Sequence, residues 1–588
     1  MLAVPRMITT RRREFIGGFG ALSVAGIAPS AFAGEEPLLR IGVMTDTHVK
    51  ETKASCSRVK MACELFRRHR VDMIVNVGDL ADYHYPKGYA AYRAVVEKAF
   101  EGVPPAERPK ELFVYAVHDT FAWGGHKARS EWPKHIDEAY ADMQRLVGAS
   151  NGPYAEGSVK GFPYVTFPQG TTGGLDFARI EKMIADAVRA NPGKPVFVFA
   201  HVPPEGTTRT GRGDPRTTAL FSKYPQIVNI SGHVHGSLAD ERAIWQGAFT
   251  SVSAGCLQNW GDGRDGIVGN NVSRMQNYGA MIVEVFSSRI VFRRFDVRDG
   301  KEYHAERPWM IPWPFDPATA PYRHVVRREK AGVPSFAAGA ALGVSTGSEG
   351  DGGVVLSLPA AADEPRPFMY RVRLDRRGDD GKWLAHARRD FFGDFWQTAR
   401  ERPADYSLGF AGAYFETGNK YRFRVAPVNC WGTEGNPLVA EFVAAAPAEP
   451  PRVVWQTDDV LKDCQFKLGL TGGAALSPDG GFFKMGSGNA RLEFPKGVWE
   501  GPKGAMFRFS IDIHAIQGGW PTWTIVLRNP NPMKNAFNRV STPDGDAGML
   551  RYVFDFAKAD AAHSYYLLVR EGGEGRIRFG RVRIERLR

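Results

Sequence analysis

Cysteine is scarce in this chain: 588 residues contain five, namely Cys56, Cys63, Cys256, Cys430 and Cys464. Their number is odd and no Cys-x-x-Cys pair occurs, so the sequence indicates free thiols rather than a disulfide framework. Long apolar runs are also missing after the first 33 residues, and the sequence therefore predicts no stable transmembrane span.

A concentrated basic segment is missing as well. The net charge is +12; residues 1–33 carry four arginines and one glutamate, which leaves +9 spread over the remaining chain. No block of Lys and Arg with interleaved aromatic residues occurs, which argues against nucleic acid as a partner. A diffuse positive excess suits anionic ligands or envelope surfaces.

The first 33 residues have the features of an export signal. Arg11-Arg12-Arg13-Glu14-Phe15-Ile16 precedes a mildly apolar run over residues 17–28, and Ala31-Phe32-Ala33 offers a small-residue cleavage site. This arrangement resembles a twin-arginine signal peptide, although a mitochondrial-type presequence or an uncleaved anchor are alternatives. The resemblance implies a periplasmic or extracellular protein that is exported after folding.

The chain is too long for one hydrophobic core, and its length predicts three or four domains. Over residues 34–305, short apolar strands alternate with amphipathic helices. The predicted strands are Leu38–Met44, Met73–Val77, Leu112–Val117, Val196–Ala200, Ile227–Ser231, Phe249–Ala254, Met281–Phe286 and Ile290–Phe295. The predicted helices are Ser55–His69, Tyr89–Phe100, Ser130–Val147 and Leu175–Ala190. This alternation predicts an α/β domain with helices layered over the sheet.

The helical pattern disappears after a Pro- and Trp-rich segment, residues 306–332, which we interpret as a linker packed on the first domain by its aromatic residues. Residues 333–446 then show short strand patterns. The stretch Tyr421–Gly432 resembles the penultimate strand and following turn of a fibronectin type III module. The predicted strands are Val354–Leu358, Phe368–Leu374, Lys382–Arg388, Lys420–Pro427 and Leu438–Val443.

Residues 447–588 form a third predicted region, again all-β, for which we expect a β-sandwich of the jelly-roll type. Its last segment, residues 575–584, alternates basic and apolar residues, and the alternation slips at Gly580, which predicts a β-bulge. Trp499, Trp520 and Trp523 either belong to the core or stack on sugar rings, as in carbohydrate-binding modules.

Metal-ligating residue types follow five of the predicted strands. The motifs, in chain order, are Asp46-Thr47-His48, Gly78-Asp79, His118-Asp119, His201 and Gly232-His233-Val234-His235. Each motif alone is a weak signal. Because open α/β sheets place their sites at the carboxyl ends of strands, we expect these side chains to meet.

The ordered set of motifs resembles the calcineurin-like metallophosphoesterases over residues 38–300. The resemblance implies a layered α/β/β/α sandwich and an enzyme that hydrolyses a phosphomonoester or phosphodiester by metal-activated hydroxide. It implies two divalent metal ions, for which Mn, Fe, Zn, Ni and Co all remain open. By resemblance, the first metal is held by Asp46, His48 and His235, Asp79 bridges both metals, and His201 and His233 bind the second. His118 would be the general acid, oriented by Asp119.

One position departs from the family pattern. The third motif of the family is GNHD, and its Asn binds the second metal, whereas this chain has Ala116-Val117-His118-Asp119. Valine has no ligand atom. Either Asp119, His84 or water completes the second site, or the second metal binds weakly, or the domain is an inactive relative.

Purple acid phosphatases share part of the pattern and also carry a fibronectin-like module. They have glycine at the position of His48, and their tyrosine ligand would fall at Asp82, one residue before Tyr83, so they resemble this chain less.

Substrate contacts are expected from loops near the motifs. Arg209 and Arg212 lie in the long polar segment after His201 and could clamp a phosphate, unless that segment is a solvated loop. Trp123 and Trp260 could stack on a base or a sugar, or could belong to the core.

The sequence therefore predicts an exported phosphoesterase with two accessory β domains. The alternative is a catalytically weak or inactive protein of the same fold whose C-terminal domain binds carbohydrate or another envelope component.

Overall fold

The computed structural model describes most of the chain. The described residues are 35–81, 86–120, 132–169, 174–208, 213–257, 278–347, 350–362, 365–397, 401–468, 474–476, 482–484, 490–517, 524–530, 533–538, 549–558, 565–570 and 575–587. The predicted export signal, residues 1–33, lies outside them.

The first domain contains thirteen strands among these residues. They are β1 (Leu39–Met44), β2 (Met73–Asn76), β3 (Lys110–Phe113), β4 (Ala155–Val159), β5 (Phe162–Thr166), β6 (Val196–Phe199), β7 (Ile227–Ser231), β8 (Ile244–Gln246), β9 (Thr250–Ser253), β10 (Gly279–Val285), β11 (Arg289–Asp296), β12 (Lys301–Glu302) and β13 (Trp309–Pro312). The helices are α1 (Lys53–Arg68), α2 (Pro86–Ala99), α3 (Val117–Thr120), α4 (Trp132–Asp142), α5 (Phe177–Ala190), α6 (Pro215–Phe221) and α7 (His324–Lys330).

The strands form two sheets. One has the order β12-β11-β10-β1-β2-β3, with β13 added on β11, and the other has the order β4-β5-β6-β7-β9-β8. β1, β2 and β3 are parallel to one another, as are β5, β6, β7 and β9. Because parallel neighbours end on the same side, each sheet presents several carboxyl ends along a single edge.

Strand β10 shows how the sheets are layered. Met281 and Val283 lie in the core between the two sheets, whereas Ala280 and Ile282 lie in the core beneath the helices. Successive side chains of a strand point to opposite faces, so a sheet covered on both faces needs an almost continuous apolar run. A further apolar core lies between the second sheet and α5. The result is the expected α/β/β/α sandwich.

The helices begin at polar capping residues. Thr52 accepts a hydrogen bond from the backbone N–H of Ser55 at the start of α1, and Asp176 accepts one from Arg179 at the start of α5. These bonds satisfy N–H groups that have no partner within the helix. No helix in the described part of the chain has both the length and the apolar character needed to cross a membrane.

Two predictions for this domain need correction. The predicted strand Leu112–Val117 is Lys110–Phe113, because the chain leaves the sheet after Phe113 and forms the short helix α3 at Val117. The segment interpreted as a linker contributes β13 to the first sheet as well as α7. Strand β13 lies at a sheet edge, where proline is tolerated. Trp309 is buried there and Trp313 donates to the carbonyl of Gly193.

Beyond α7, nearly all the regular elements among the described residues are strands. The first group is β14 (Gly343–Thr346), β15 (Val354–Pro359), β16 (Met369–Arg377), β17 (Trp383–Phe392), β18 (Asp405–Phe410), β19 (Lys420–Val428) and β20 (Leu438–Val443). The second is β21 (Arg452–Thr457), β22 (Gln465–Leu468), β23 (Ala474–Leu476), β24 (Phe482–Lys484), β25 (Ala490–Glu493), β26 (Met506–Gln517), β27 (Thr524–Pro530), β28 (Met533–Asn538), β29 (Met549–Ala557), β30 (Tyr566–Arg570) and β31 (Gly575–Arg586), with α8 at Val460–Asp463. The first group forms sheets β14-β15-β18 and β17-β16-β19-β20 around a shared core. In the second, β23-β24-β31-β26-β29 lie in one sheet and β22-β25-β30-β27-β28 in the other.

The pairing of β26 with β31 contains an irregularity at the predicted place. Ile511 pairs with Val582 but Ile513 pairs with Phe579, so β31 has one extra residue in the interval that includes Gly580. One residue of β26, Asp512, is thus opposed by two residues of β31, Gly580 and Arg581, which is a β-bulge. Trp499 is buried and donates to the carbonyl of Tyr565, and it therefore belongs to the core.

Candidate metal centre

The six predicted ligands lie just past the carboxyl ends of four strands. Asp46 and His48 follow β1, Asp79 follows β2, His201 follows β6, and His233 and His235 follow β7. The two packed sheets bring these ends together, and the side chains form two groups whose ligand atoms lie within 4.8 Å of one another. The first group is Asp46, His48, Asp79 and His235, and the second is Asp79, His201 and His233. Asp79 belongs to both groups, as a bridging ligand would.

The first group is compact. Asp46 Oδ1 lies 3.0 Å from His235 Nε2, and the Nε2 atoms of His235 and His48 are 3.1 Å apart. His48 Nε2 also lies 3.9 Å from both Asp46 Oδ1 and Asp79 Oδ2. The backbone N–H of His233 donates to Asp46 Oδ2 at 2.9 Å, which joins the two sheets at this point.

The second group is centred on His201. Its Nε2 lies 3.0 Å from Asp79 Oδ2 and 3.9 Å from Asp46 Oδ1. Its Nδ1 lies 2.8 Å from the carbonyl oxygen of Val77. The rings of His201 and His233 meet edge to face at a centroid distance of 5.2 Å. The imidazole of His201 is fully buried, so its two ring nitrogens must be satisfied inside the protein.

Most of these residues have an unusual backbone conformation. The φ angles are 50° at Asp46, 40° at His48, 50° at Asp79, 68° at His233 and 48° at His235. Residues other than glycine rarely adopt this left-handed region, because it costs about 1–3 kcal/mol at each position. Five such residues in one cluster indicate that the chain is held under strain in order to present these side chains together.

Two glycines permit the close approach of the loops. A Cβ atom on Gly78, whose φ is 96°, would lie 2.6 Å from the Cβ of Ala116 and 2.8 Å from His201 Nδ1. A Cβ atom on Gly232 would overlap Thr45 Oγ1 and Asp46 Oδ2. The glycines of the Gly-Asp and Gly-His motifs are therefore required by packing against the ligands themselves.

The electrostatics of the site favour added positive charge. Burial opposes ionisation of Asp46, but His235 and His201 hold the pKa of its carboxyl far below the usual range. Burial likewise opposes ionisation of Asp79, and His201 lowers its pKa to about 2. Against the effect of burial, Asp79 and Asp46 raise the pKa of His201 to about 10. The two carboxylates thus hold protons on neighbouring imidazoles, and divalent cations would supply the same charge. Carboxylate oxygens with imidazole nitrogens fit such ions well.

His118, the predicted general acid, lies beside the first group. Its backbone N–H donates to Asp79 Oδ1 at 3.0 Å. Its ring meets that of His48 edge to face, with a centroid distance of 4.9 Å. His118 therefore contacts His48 with its ring and Asp79 with its backbone, and it is a member of neither group.

The carboxylate of Asp119 forms hydrogen bonds with backbone N–H groups. It is fully buried, and its Oδ1 and Oδ2 accept hydrogen bonds from the backbone N–H groups of Ala81 and Ala116 at 3.1 and 3.3 Å. Burial, reinforced by the charge of Asp79, raises the pKa of Asp119 to about 8. These contacts tie Asp119 to the backbone on either side of the site, and its role in orienting His118 stays a prediction.

The family's Asn position is occupied by a partly buried valine, Val117, at the start of α3. Of the groups considered as replacements for the missing ligand, Asp119 is bonded to backbone amides and His84 lies outside the described residues. Also outside them are Arg209 and Arg212, together with Trp123, Trp260, Trp520 and Trp523.

Sequence reasoning missed two polar residues that support the ligands. Thr45 Oγ1 donates to Asp46 Oδ2 at 2.8 Å, and its place next to the first motif was a usable signal. Gln169 is 4% exposed and its Oε1 accepts a hydrogen bond from the backbone N–H of Val202, next to His201. Gln169 is far from every motif in sequence, so no pattern pointed to it.

Comparison with protein families found a match in the amino-terminal domain. Residues 39–237 match the model of the calcineurin-like phosphoesterase family. No curated protein matches the chain. A dimetal phosphatase from Danio rerio is similar at 11% identity over 47% of this chain and 100% of its own, with a TM-score of 0.32. A purple acid phosphatase from yellow lupin seeds is similar at 14% identity over 47% of this chain and 53% of its own, with a TM-score of 0.32.

A solved structure of another kind is also similar to part of this chain. A xylan-binding domain from Paenibacillus barcinonensis is similar at 11% identity over 24% of this chain and 98% of its own, with a TM-score of 0.18. The family match, by contrast, covers β1 to the end of the Gly-His-Val-His motif and includes every predicted ligand. Residues 39–237 of this chain thus match the calcineurin-like phosphoesterase family, which is the family that the sequence motifs resemble.

Proposed function

We propose that the protein is an exported hydrolase of phosphoric esters that depends on two divalent metal ions. One observation carries the proposal: six buried or half-buried Asp and His side chains meet at the joint edge of two sheets and form two groups that share Asp79. A single shared carboxylate is suited to holding two cations close together. Two cations held in this way would neutralise the negative charge of a phosphoester.

The chemistry of the bound metals is general: two adjacent divalent cations neutralise a phosphoester and lower the pKa of the water that attacks phosphorus. The protein's own residues would supply the ionised ligands and a proton donor. Asp46 and Asp79 are kept ionised, and the strained loops hold their oxygens towards the imidazoles. His118, tied by its backbone to Asp79, would give a proton to the leaving alkoxide.

Substrate selection is proposed to come from the loop after His201. Arg209 and Arg212 would pair with phosphate oxygens, since the planar guanidinium matches phosphate in two hydrogen bonds. Both monoesters and diesters carry phosphate oxygens for these arginines to bind. Replacement of either arginine by Gln should raise KM more than it lowers kcat.

The proposed function is tested by metal content and turnover on the full chain. Elemental analysis should find two metals per chain, and Mn²⁺ should support hydrolysis of p-nitrophenyl phosphate or bis-p-nitrophenyl phosphate. Turnover should fall in His118→Ala while the metals remain. Absence of turnover on both compounds and on a panel of natural phosphoesters, in protein loaded with two metals, would overturn the proposal.

A second candidate function rests on Val117, which has no ligand atom where the family has Asn. A protein with a weakly bound second metal would be a poor catalyst, and its C-terminal domain would then act as a carbohydrate- or envelope-binding module. Binding of one metal, no turnover with added Mn²⁺, and retention on an envelope polysaccharide would favour this function.

Export through the twin-arginine route is part of the proposal. Arg12→Lys with Arg13→Lys should leave the precursor in the cytoplasm, since that pathway reads the arginine pair. Arg6→Lys, in the same segment but outside the arginine pair, is the control. Normal export of the signal variant would exclude this route.

A further inference from the structure

Gln169 is a buried polar residue outside both groups of ligands. It lies three residues past the end of β5, at the edge of the second sheet that carries the site, and is 4% exposed. Its backbone N–H donates to the carbonyl oxygen of Tyr115 at 3.0 Å, and its side-chain Oε1 accepts from the backbone N–H of Val202. A buried N–H that lost this acceptor would remain unsatisfied at a cost of about 1–3 kcal/mol.

The two partners of Gln169 belong to the two halves of the site. Tyr115 follows β3 of the first sheet and stands three residues before His118. Val202 follows β6 of the second sheet and stands directly after His201. Gln169 therefore ties the segment of the proposed acid to the segment of a proposed ligand.

His201 is held by hydrogen bonds in three directions. Its ring Nδ1 bonds to the carbonyl of Val77 at 2.8 Å, and its own carbonyl accepts from the backbone N–H of Gly232 at 2.9 Å. The third bond is made through the next residue, Val202, to Gln169. The partners at Val77 and Gly232 are backbone groups, whereas the partner at Gln169 is a side chain that substitution can remove.

The replacement of the family's Asn by Val117 makes this support important. Within the described residues the second group consists of Asp79, His201 and His233. The affinity of a site with few protein ligands depends strongly on how firmly each ligand is held. We infer that Gln169 is a positioning residue that holds His201 in the second group and thereby sustains the affinity of the second metal. This inference rests on the proposed function, because it takes the second group to be a metal site.

The test compares three variants of the full chain. Gln169→Met keeps the size of the side chain but has no acceptor for Val202 N–H, and Gln169→Glu keeps the acceptor. The matched control is Gln246→Met, because Gln246 is 1% exposed and its Oε1 accepts the backbone N–H of Tyr322 at 3.1 Å, away from the site. Each protein is freed of metal with a chelator and titrated with Mn²⁺ in a calorimeter, after circular dichroism has established that it is folded.

We expect Gln169→Met to weaken one of two Mn²⁺ sites by about 10- to 100-fold, the usual effect of removing a supporting contact, and to leave the other site unchanged. Turnover of p-nitrophenyl phosphate should fall at low Mn²⁺ and recover as Mn²⁺ is raised. Gln169→Glu and Gln246→Met should bind Mn²⁺ as the wild type does. If Gln169→Met does not fold, Gln169→Asn, whose amide is one methylene short of Val202, replaces it.

Equal Mn²⁺ affinities in Gln169→Met and the wild type would overturn the inference, as would equal weakening in Gln246→Met. A wild type with fewer than two Mn²⁺ sites would overturn it too. A wild type that binds two Mn²⁺ but hydrolyses no phosphoester would refute the proposed function alone, and the titration would still decide the role of Gln169.

Discussion

The ring of His201 is fixed by the backbone of Val77, whose carbonyl oxygen lies 2.8 Å from Nδ1. A carbonyl oxygen only accepts hydrogen bonds, so Nδ1 carries a proton and donates it. Nε2 faces Asp79 Oδ2 at 3.0 Å, and a metal ion bound between them would take the place of the Nε2 proton. The strand end after β2 thus sets the tautomer of a residue that follows β6, and it supports Asp79 and His201 as ligands of one metal.

Asp79 is predicted to be the most sensitive ligand because it belongs to both groups. Asp79→Asn keeps the shape of the side chain but removes its charge, and we expect it to lose both metals. His233→Asn should lose the second metal only. Elemental analysis after dialysis measures the difference, and the fall in turnover should exceed the roughly 10- to 100-fold effect of supporting residues.

A matched control for this prediction is Asp72→Asn. Asp72 is also in the first domain, where it accepts a hydrogen bond from the backbone N–H of Arg40 at 2.8 Å and forms an ion pair with Lys160. Neither partner is a predicted ligand. Its replacement should leave the metal content unchanged. Two metals in Asp79→Asn would contradict the bridging role.

His118→Asn is predicted to affect the chemistry rather than metal binding. Removal of a general acid typically lowers kcat by about 10²- to 10⁴-fold. The loss should be larger for phenyl phosphate than for p-nitrophenyl phosphate, because nitrophenolate leaves readily without a proton. Steady-state kinetics on both compounds at saturating Mn²⁺ tests this. Equal losses on the two compounds would argue that His118 does not protonate the leaving group.

Gly232→Ala is predicted to damage the first group through packing. The added methyl group would overlap Thr45 Oγ1 and Asp46 Oδ2, which belong to fully buried residues. We expect weaker Mn²⁺ binding at the first group and a lower Tm. Gly409→Ala is the control, because a Cβ there meets no atom within 4 Å. Wild-type Mn²⁺ affinity in Gly232→Ala would show that the loop can rearrange.

Much of the first domain could be predicted because its strands are buried on both faces. The predicted strand Ile227–Ser231 is the observed β7, and the ligands follow such strands directly. Strand β4, Ala155–Val159, was missed because it is polar and largely exposed at a sheet edge, so it has neither an apolar run nor an alternating pattern. Strand β13 was missed because the prolines around it suggested a linker.

The residues of the site likewise include some that the sequence could predict and some that it could not. Asp46, His48 and the other ligands stand in short local motifs, so their convergence could be inferred from strand order. Gln169 and the backbone contacts of Asp119 depend on how the two sheets pack, and no sequence periodicity encodes that packing. The roles of Arg209 and Arg212 remain predictions.

The attachment of the Pro- and Trp-rich segment to the first domain is predicted to weaken at low pH. Glu241 lies 3.1 Å from Arg294 Nη1 and 2.5 Å from Arg327 Nη2, and it accepts from Trp309 Nε1 at 3.1 Å. Burial opposes its ionisation, but Arg294 and Arg327 lower its pKa to about 2 from an ordinary 4.5. A lowered pKa stabilises the folded state fully above the ordinary pKa, and this contribution is lost as the pH falls from 4.5 towards 2.

Glu241→Gln cannot ionise, so the difference in unfolding free energy between wild type and variant should be largest above pH 4.5 and should shrink as the pH falls towards 2. Urea unfolding of both proteins at a series of pH values measures this difference. The control is Glu107→Gln, an exposed glutamate of the same domain, whose difference from wild type should stay near zero throughout. A difference for Glu241→Gln that is independent of pH would mean that the carboxylate charge does not contribute to the attachment of β13 and α7, and that hydrogen bonding to Trp309 alone holds it.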